Sequence, residues 1–144
     1  MNHHEAVAFT FTALTLFREG CNEPEEGQIA IACCIRERVE GGWPGSAWWG
    51  RTYYQVVTKE AQFSSMTYDT DKQLDVFPKE DDPRWIRIME IIEAVMDGSI
   101  PHPFPTATHY YADYLDAKGL APKWADRAVY LGKAGVHKFY HLDS

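Results

Sequence analysis

Arg18-Glu19-Gly20-Cys21-Asn22-Glu23-Pro24-Glu25-Glu26-Gly27-Gln28 closes one helix and opens the next. Upstream, Ala6, Phe9, Ala13, Leu14, Leu16 and Phe17 recur at helical spacing, which predicts a mostly buried helix over residues 5–19 ending near Gly20. Asn22-Glu23-Pro24 supplies turn chemistry, and Glu25 and Glu26 fall where a second helix has its positive dipole end. In that helix Ile29, Ala32, Cys33 and Val39 share one face. Arg36, Glu37, Arg38 and Glu40 form a charged end, and Gly41-Gly42 stop it. Glu19 stands at the junction, beside Phe17. There the negative end of the helix dipole and any burial both favour the protonated carboxyl, the state a general acid needs. Glu23 turned toward it would push the same way by like-charge repulsion, and Arg18 folding back would oppose it.

The chain around this junction has 144 residues, close to the roughly 150 of an ordinary domain, so residues 1–144 are expected to form a single domain. The 14 basic and 21 acidic residues give a formal charge of −7, and 45% of residues are hydrophobic, a foldable composition. The acidic balance, with no cluster of Lys and Arg, argues against a nucleic-acid partner. No apolar run approaches the roughly 20 residues of a membrane span. Met1-Asn2-His3-His4-Glu5 lacks the basic start of a signal peptide, so synthesis in the cytoplasm without export signal is expected. Cys21, Cys33 and Cys34 make neither a disulfide framework nor a zinc spacing, and are expected to be buried free thiols.

Residues 43–79 turn irregular and aromatic, holding Trp43, Trp48, Trp49, Tyr53, Tyr54, Phe63, Tyr68 and Phe77, with one short helix expected over 52–58. A structure-poor stretch this long suits either a cleft wall or a loop pinned by aromatic packing. Asp81-Asp82-Pro83 then opens a third helix, whose stripe Trp85, Ile88, Met89, Ile92, Val95 and Met96 is core material ending at Gly98. Segments 107–111, 128–131 and 137–141 alternate as strands of a small sheet, with Gly132 and Gly135 flanking the last turn.

His3, His4, His102, His109, His137 and His141 are scattered without metal-ligand spacing, so neither a metal nor another cofactor is expected. Cys33 and Cys34 lie among apolar neighbours, which raises a thiol pKa and disfavours a nucleophile.

The opening stretch, the apolar run 29–34 and Arg38-Val39 together resemble the opening motif of the SleB-type cell wall hydrolases, a family that includes spore cortex-lytic enzymes and phage endolysins. Further matches follow in family order: Gln62-Phe63-Ser64, His109-Tyr110-Tyr111, Trp124 and the closing Gly135-Val136-His137-Lys138-Phe139-Tyr140. The chain departs from the pattern at Arg18, where the family has a small residue, at Cys21 for Arg, at Asn22 for Gly and at Glu37 for Asn. Asn is the residue that best replaces Gly in a left-handed turn.

The resemblance implies an α+β, mainly helical, lysozyme-like fold with a small C-terminal sheet, and peptidoglycan glycan strands as substrate at the bacterial cell wall. It implies lytic transglycosylation by Glu19, which would protonate the bond between N-acetylmuramic acid and N-acetylglucosamine and then act as base. Gln62, Ser64, Tyr110, Tyr111 and His109 would bind substrate. Deployment as an endolysin or virion-associated lysin would fit the absence of an export signal. The alternatives are a muramidase hydrolysing the same bond, for which Asp69 and Asp71 are the candidate second carboxylates, and a catalytically inactive glycan-binding protein of the same fold.

Overall fold

The computed structural model describes residues 1–59, 62–69 and 71–143. Helix α1 (His3–Gly20) starts where the Asn2 side chain accepts the Glu5 backbone N–H at 2.9 Å, and it carries the buried Ala13, Leu16 and Phe17 inward. Helix α2 (Glu25–Glu40) is the hub, packing on α1 and on elements from both halves of the chain. Ala30, Ile31, Ala32, Cys33, Cys34 and Ile35 are all buried, whereas Ile29 and Val39 are only half-buried. The single apolar face expected for this helix is therefore too narrow, because neighbours surround it on several sides. All three cysteines are free thiols, but Cys21, expected buried, is only half-buried where α1 ends; burial pushes the Cys33 thiol up to about 11 and that of Cys34 higher still.

Residues 43–79 hold more regular structure than the one helix expected. They form α3 (Ser46–Trp49), α4 (Tyr53–Thr58), α5 (Ser64–Thr67) and a 3-10 helix over Lys72–Asp75. Thr52 caps α4 by accepting the Gln55 N–H at 3.1 Å. Trp49, Val56, Val57 and Phe63 pack with Ile35 into a second small core, so much of this aromatic segment is pinned by packing. Helix α6 (Pro83–Met96), capped by Asp82, lays Ile88, Ile91, Ile92 and Val95 against α1 and α2.

The sheet is antiparallel in the order β1-β3-β2, with β1 (His109–Ala112), β2 (Val129–Ala134) and β3 (His137–His141). Helix α7 (Tyr114–Ala117) and a 3-10 helix over Lys123–Arg127 lie in the connection from β1 to β2. Gly132 is not a turn residue as expected. It sits inside β2 at a register irregularity, with φ 154°, and a Cβ there would strike the ring of Phe104. Register places Tyr110 opposite Phe139 and Ala112 opposite His137, the face turned to the helices, while His109, Tyr111, Lys138 and Tyr140 share the other. The result is mainly helical with a small C-terminal sheet, the α+β class expected.

Arg38, expected in the charged end of α2, is buried. It is 5% exposed, its Nε donates to the Thr108 carbonyl at 2.6 Å, and its Nη1 donates to Gln62 Oε1 at 2.9 Å. The guanidinium also faces the rings of Trp49 and Phe63. Burial lowers its pKa to about 10, and hydrogen bonds to carbonyl oxygens offset part of its desolvation. It ties α2 to both the segment around residue 62 and the start of the sheet. Arg38→Ala should cost about 2–4 kcal/mol by leaving those acceptors unmatched, read as a lower urea midpoint at unchanged slope.

Candidate active site

The last turn of α1 carries two neighbouring ionisable groups, Arg18 buried and Glu19 half-buried, and sends them apart, successive helical residues being about 100° apart around the axis. Arg18 Nε donates to the Val76 carbonyl at 2.9 Å and Nη1 to the Ser65 carbonyl at 3.0 Å, with Met66 Sδ at 3.3 Å and the Phe77 ring beside it. Arg18 therefore clamps residues 65–77 to α1. It does not fold back on Glu19: the groups that act on the Glu19 carboxyl are Ser65, Tyr110, Asp71 and His137.

Glu19 is half-buried, and Tyr110 Oη donates to its Oε1 at 3.1 Å. Burial raises its pKa. The Ser65 and Tyr110 hydroxyls oppose that rise, Asp71 adds to it by like charge, and His137 opposes it. The buried Ser65 hydroxyl lies near enough to favour the charged carboxylate while falling short of full hydrogen-bond geometry. Burial prevails, so the Glu19 pKa stands above the ordinary carboxylate value, as the helix-end reading anticipated. Glu23 does not contribute the repulsion expected of it. Its Oε1 accepts the Val136 N–H at 3.1 Å and faces His137 Nδ1 at 2.9 Å, fastening the α1–α2 turn to the β2–β3 turn.

Glu19, Asn22, Glu23, Gln73, Ala112 and His137 line one cavity of about 220 Å³. A larger apolar groove of about 1010 Å³ runs between the start of α1, α4 and the end of α6. The smaller cavity is the stronger candidate because a carboxyl with a perturbed pKa and convergent polar groups meet there.

Of the other residues singled out in the sequence, Tyr110 reaches Glu19 by a hydrogen bond. Tyr111 points from the opposite face of β1: its hydroxyl donates to Asp116 at 2.7 Å and its ring stacks on Tyr140. His109 is buried on that same face between Trp49 and Trp124, with Nδ1 2.8 Å from the Thr108 hydroxyl. Burial, then the Arg38 cation, pushes its pKa down to about 3, so it is neutral. Gln62 accepts from Arg38. Ser64 donates to Asp71 Oδ2 at 2.6 Å, and Asp71 Oδ1 accepts the Gln73 N–H at 2.8 Å. Asp69 is exposed, whereas Asp71 is close enough to act on Glu19. Sequence reasoning missed His137, Ser65 and Gln73 as cavity or carboxyl neighbours. The pairing of Ala112 with His137 would have exposed the first, had strand register been known. Among the described residues, no group of three or more His, Cys, Asp or Glu could hold a metal ion, and no helix is long and apolar enough to cross a membrane.

The helical body with its small C-terminal sheet gives a lysozyme-like fold. The profile of the cell wall hydrolase family matches residues 22–140, beginning just after Glu19, and the chain belongs to that family. In outline it is a peptidoglycan-degrading protein acting at the cell wall. Two solved structures share the fold: the catalytic domain of the germination-specific lytic transglycosylase SleB from Bacillus anthracis and that of the Bacillus cereus SleB protein. Each is 21% identical with a TM-score of 0.68. The match covers 97% of this chain with 98% of the first domain and 94% of the second. No curated protein matches the sequence.

Two outcomes follow from the site's electrostatics. Because the folded-state pKa of Glu19 lies above its ordinary value, its contribution to stability is fully present below about 4.5 and is lost as pH rises through the folded pKa. Glu19→Gln should therefore melt at higher temperature than the parent at neutral pH, with the gain vanishing below about pH 4. Tyr110→Phe removes a donor that favours the charged carboxylate, so Glu19 should titrate at higher pH than in the parent, followed by carbon NMR of labelled Glu.

Proposed function

We propose that this chain is a peptidoglycan lytic transglycosylase with Glu19 as its acid and, in the simplest form, also its base. The observation that carries the reading is the half-buried Glu19 carboxyl, held by Tyr110 and kept toward its protonated form by burial, at the edge of a cavity between α1 and the sheet. Protonated Glu19 gives its proton to the glycosidic oxygen between N-acetylmuramic acid and N-acetylglucosamine as that bond breaks. The muramoyl 6-hydroxyl attacks the anomeric carbon and closes an anhydro ring, and its proton returns to the carboxylate. One carboxyl group suffices for this cycle. The fold shared with a domain named as a lytic transglycosylase supports the same reading.

Asp71 gives the hydrolytic reading its own observation, since it is the other carboxylate that acts on Glu19. Hydrolysis by two carboxyl groups would use Asp71 to activate water or to form a covalent intermediate. Digestion of purified sacculi with mass analysis separates the two. Transglycosylation leaves muramoyl ends lighter by one water, whereas recovery of only hydrated, reducing ends would replace the first reading with the second. Glu19→Gln should slow muropeptide release about 10²–10⁴-fold while still sedimenting with sacculi. Parent-like lysis by this variant would refute the assignment of Glu19. Sacculus binding by a parent protein that releases nothing would instead mark an inactive glycan-binding protein.

A further inference from the structure

His137 shares the Glu19 cavity, is 9% exposed, and is fixed on several sides. Its Nδ1 lies 2.9 Å from Glu23 Oε1, and its ring meets Tyr110 edge-on at 5.2 Å between centroids and Phe139 at 6.5 Å. Tyr110 is in turn bonded to Glu19, so the four side chains Glu23, His137, Tyr110 and Glu19 are continuous. Glu23 Oε1 also accepts the Val136 N–H, which a carboxylate does best in its charged form. An ionised carboxylate only accepts, so Nδ1 must carry the proton, and in the neutral ring Nε2 holds the free lone pair. Among the described residues Nε2 has no hydrogen-bond partner, and it is not among the buried unpartnered atoms sealed from solvent. The turn beneath protects this arrangement. Gly135 has φ +59°, and a Cβ there would come within 2.5 Å of Glu23 Oε1.

We propose that His137, with Glu23 as its positioning carboxylate, is a second acid–base group of the site, its Nε2 taking the proton of the hydroxyl that attacks the anomeric carbon. This rests on the reading of the cavity as a glycan-cleaving site and refines its second step. The glycosidic bond breaks as Glu19 gives its proton to the leaving oxygen. The bond from the muramoyl 6-oxygen to the anomeric carbon forms as that hydroxyl's proton passes to Nε2. The resulting imidazolium and carboxylate attract each other, and transfer of the proton from His137 to Glu19 through solvent restores the starting state. Glu23, Glu19 and the phenol of Tyr110 are the titratable groups that face the ring.

The test compares muropeptide release from purified sacculi by the parent protein, Glu19→Gln, His137→Ala, His137→Asn and Glu23→Gln, with and without added imidazole. His137→Ala should lose about 10²-fold in rate, with sacculus binding unchanged. Imidazole should restore part of that rate in proportion to its free base, without raising the melting temperature of the variant and without helping Glu19→Gln. His137→Asn, whose amide N–H can still reach Glu23, provides a folded comparison and should lose as much. Glu23→Gln, which keeps an acceptor but removes the charge, should lose about 10-fold. Parent-like release by either His137 variant, or a loss that imidazole does not restore, overturns the proposal. Should the parent release nothing, or Glu19→Gln keep full activity, the proposed function itself fails and takes this inference with it.

Discussion

Two adjacent charges, Arg18 and Glu19, must both be accommodated in the buried last turn of α1, and much of the surrounding structure answers that demand. Ionised groups taken out of water need fixed partners. Arg18 finds them in the carbonyls of Ser65 and Val76, which brings residues 65–77 against the helix. Glu19 finds only partial compensation in Tyr110, and its proton is consequently held more tightly. The same helix end thus carries a structural cation and a carboxyl held toward its protonated form. Burial disfavours the charged form of both, but a guanidinium starts from so high a pKa that Arg18 stays charged.

The other long-range ties have the same character. Glu23 joins the α1–α2 turn to the β2–β3 turn, and Arg38 joins α2 to the approach to β1 and to Gln62. Arg18 and Glu23 fix segments that border the cavity by directional bonds, where apolar contact alone would set distance but not orientation. The departure at Arg18 from the family's small residue is compatible with a functional Glu19, because the guanidinium is turned away to the loop.

The aromatic surplus divides accordingly. Trp49 and Phe63 build the second core, while Tyr111, Trp124 and Tyr140 cluster on the far face of the sheet. Trp48, Tyr54 and Tyr68 are exposed, yet among the described residues none lines the Glu19 cavity. Tyr110 bonds the Glu19 carboxyl, and the exposed Tyr114 lines the cavity. With a net charge of −7, bulk attraction to an anionic cell wall is unfavourable, so recognition must come from local contacts.

Local signals in the sequence determined the three long helices, the strand segments, the inert thiols and the peculiarity of Glu19. Asn2, Thr52 and Asp82 cap by short-range bonds, apolar spacing marks buried faces, and a carboxyl at a helix C-terminus meets an unfavourable field wherever the chain goes next. Tertiary structure decided which charges are buried and what they touch. Arg38 read only as part of a charged helix end, because its burial depends on neighbours far along the chain. The faces of Tyr110 and Tyr111 could be known to differ but not to be assigned, since alternation fixes opposition and only packing chooses the side. His137 entered the cavity through strand register and through a carboxylate more than a hundred residues away. Such contacts leave no periodic trace in sequence, because their geometry exists only after the helices and the sheet have met.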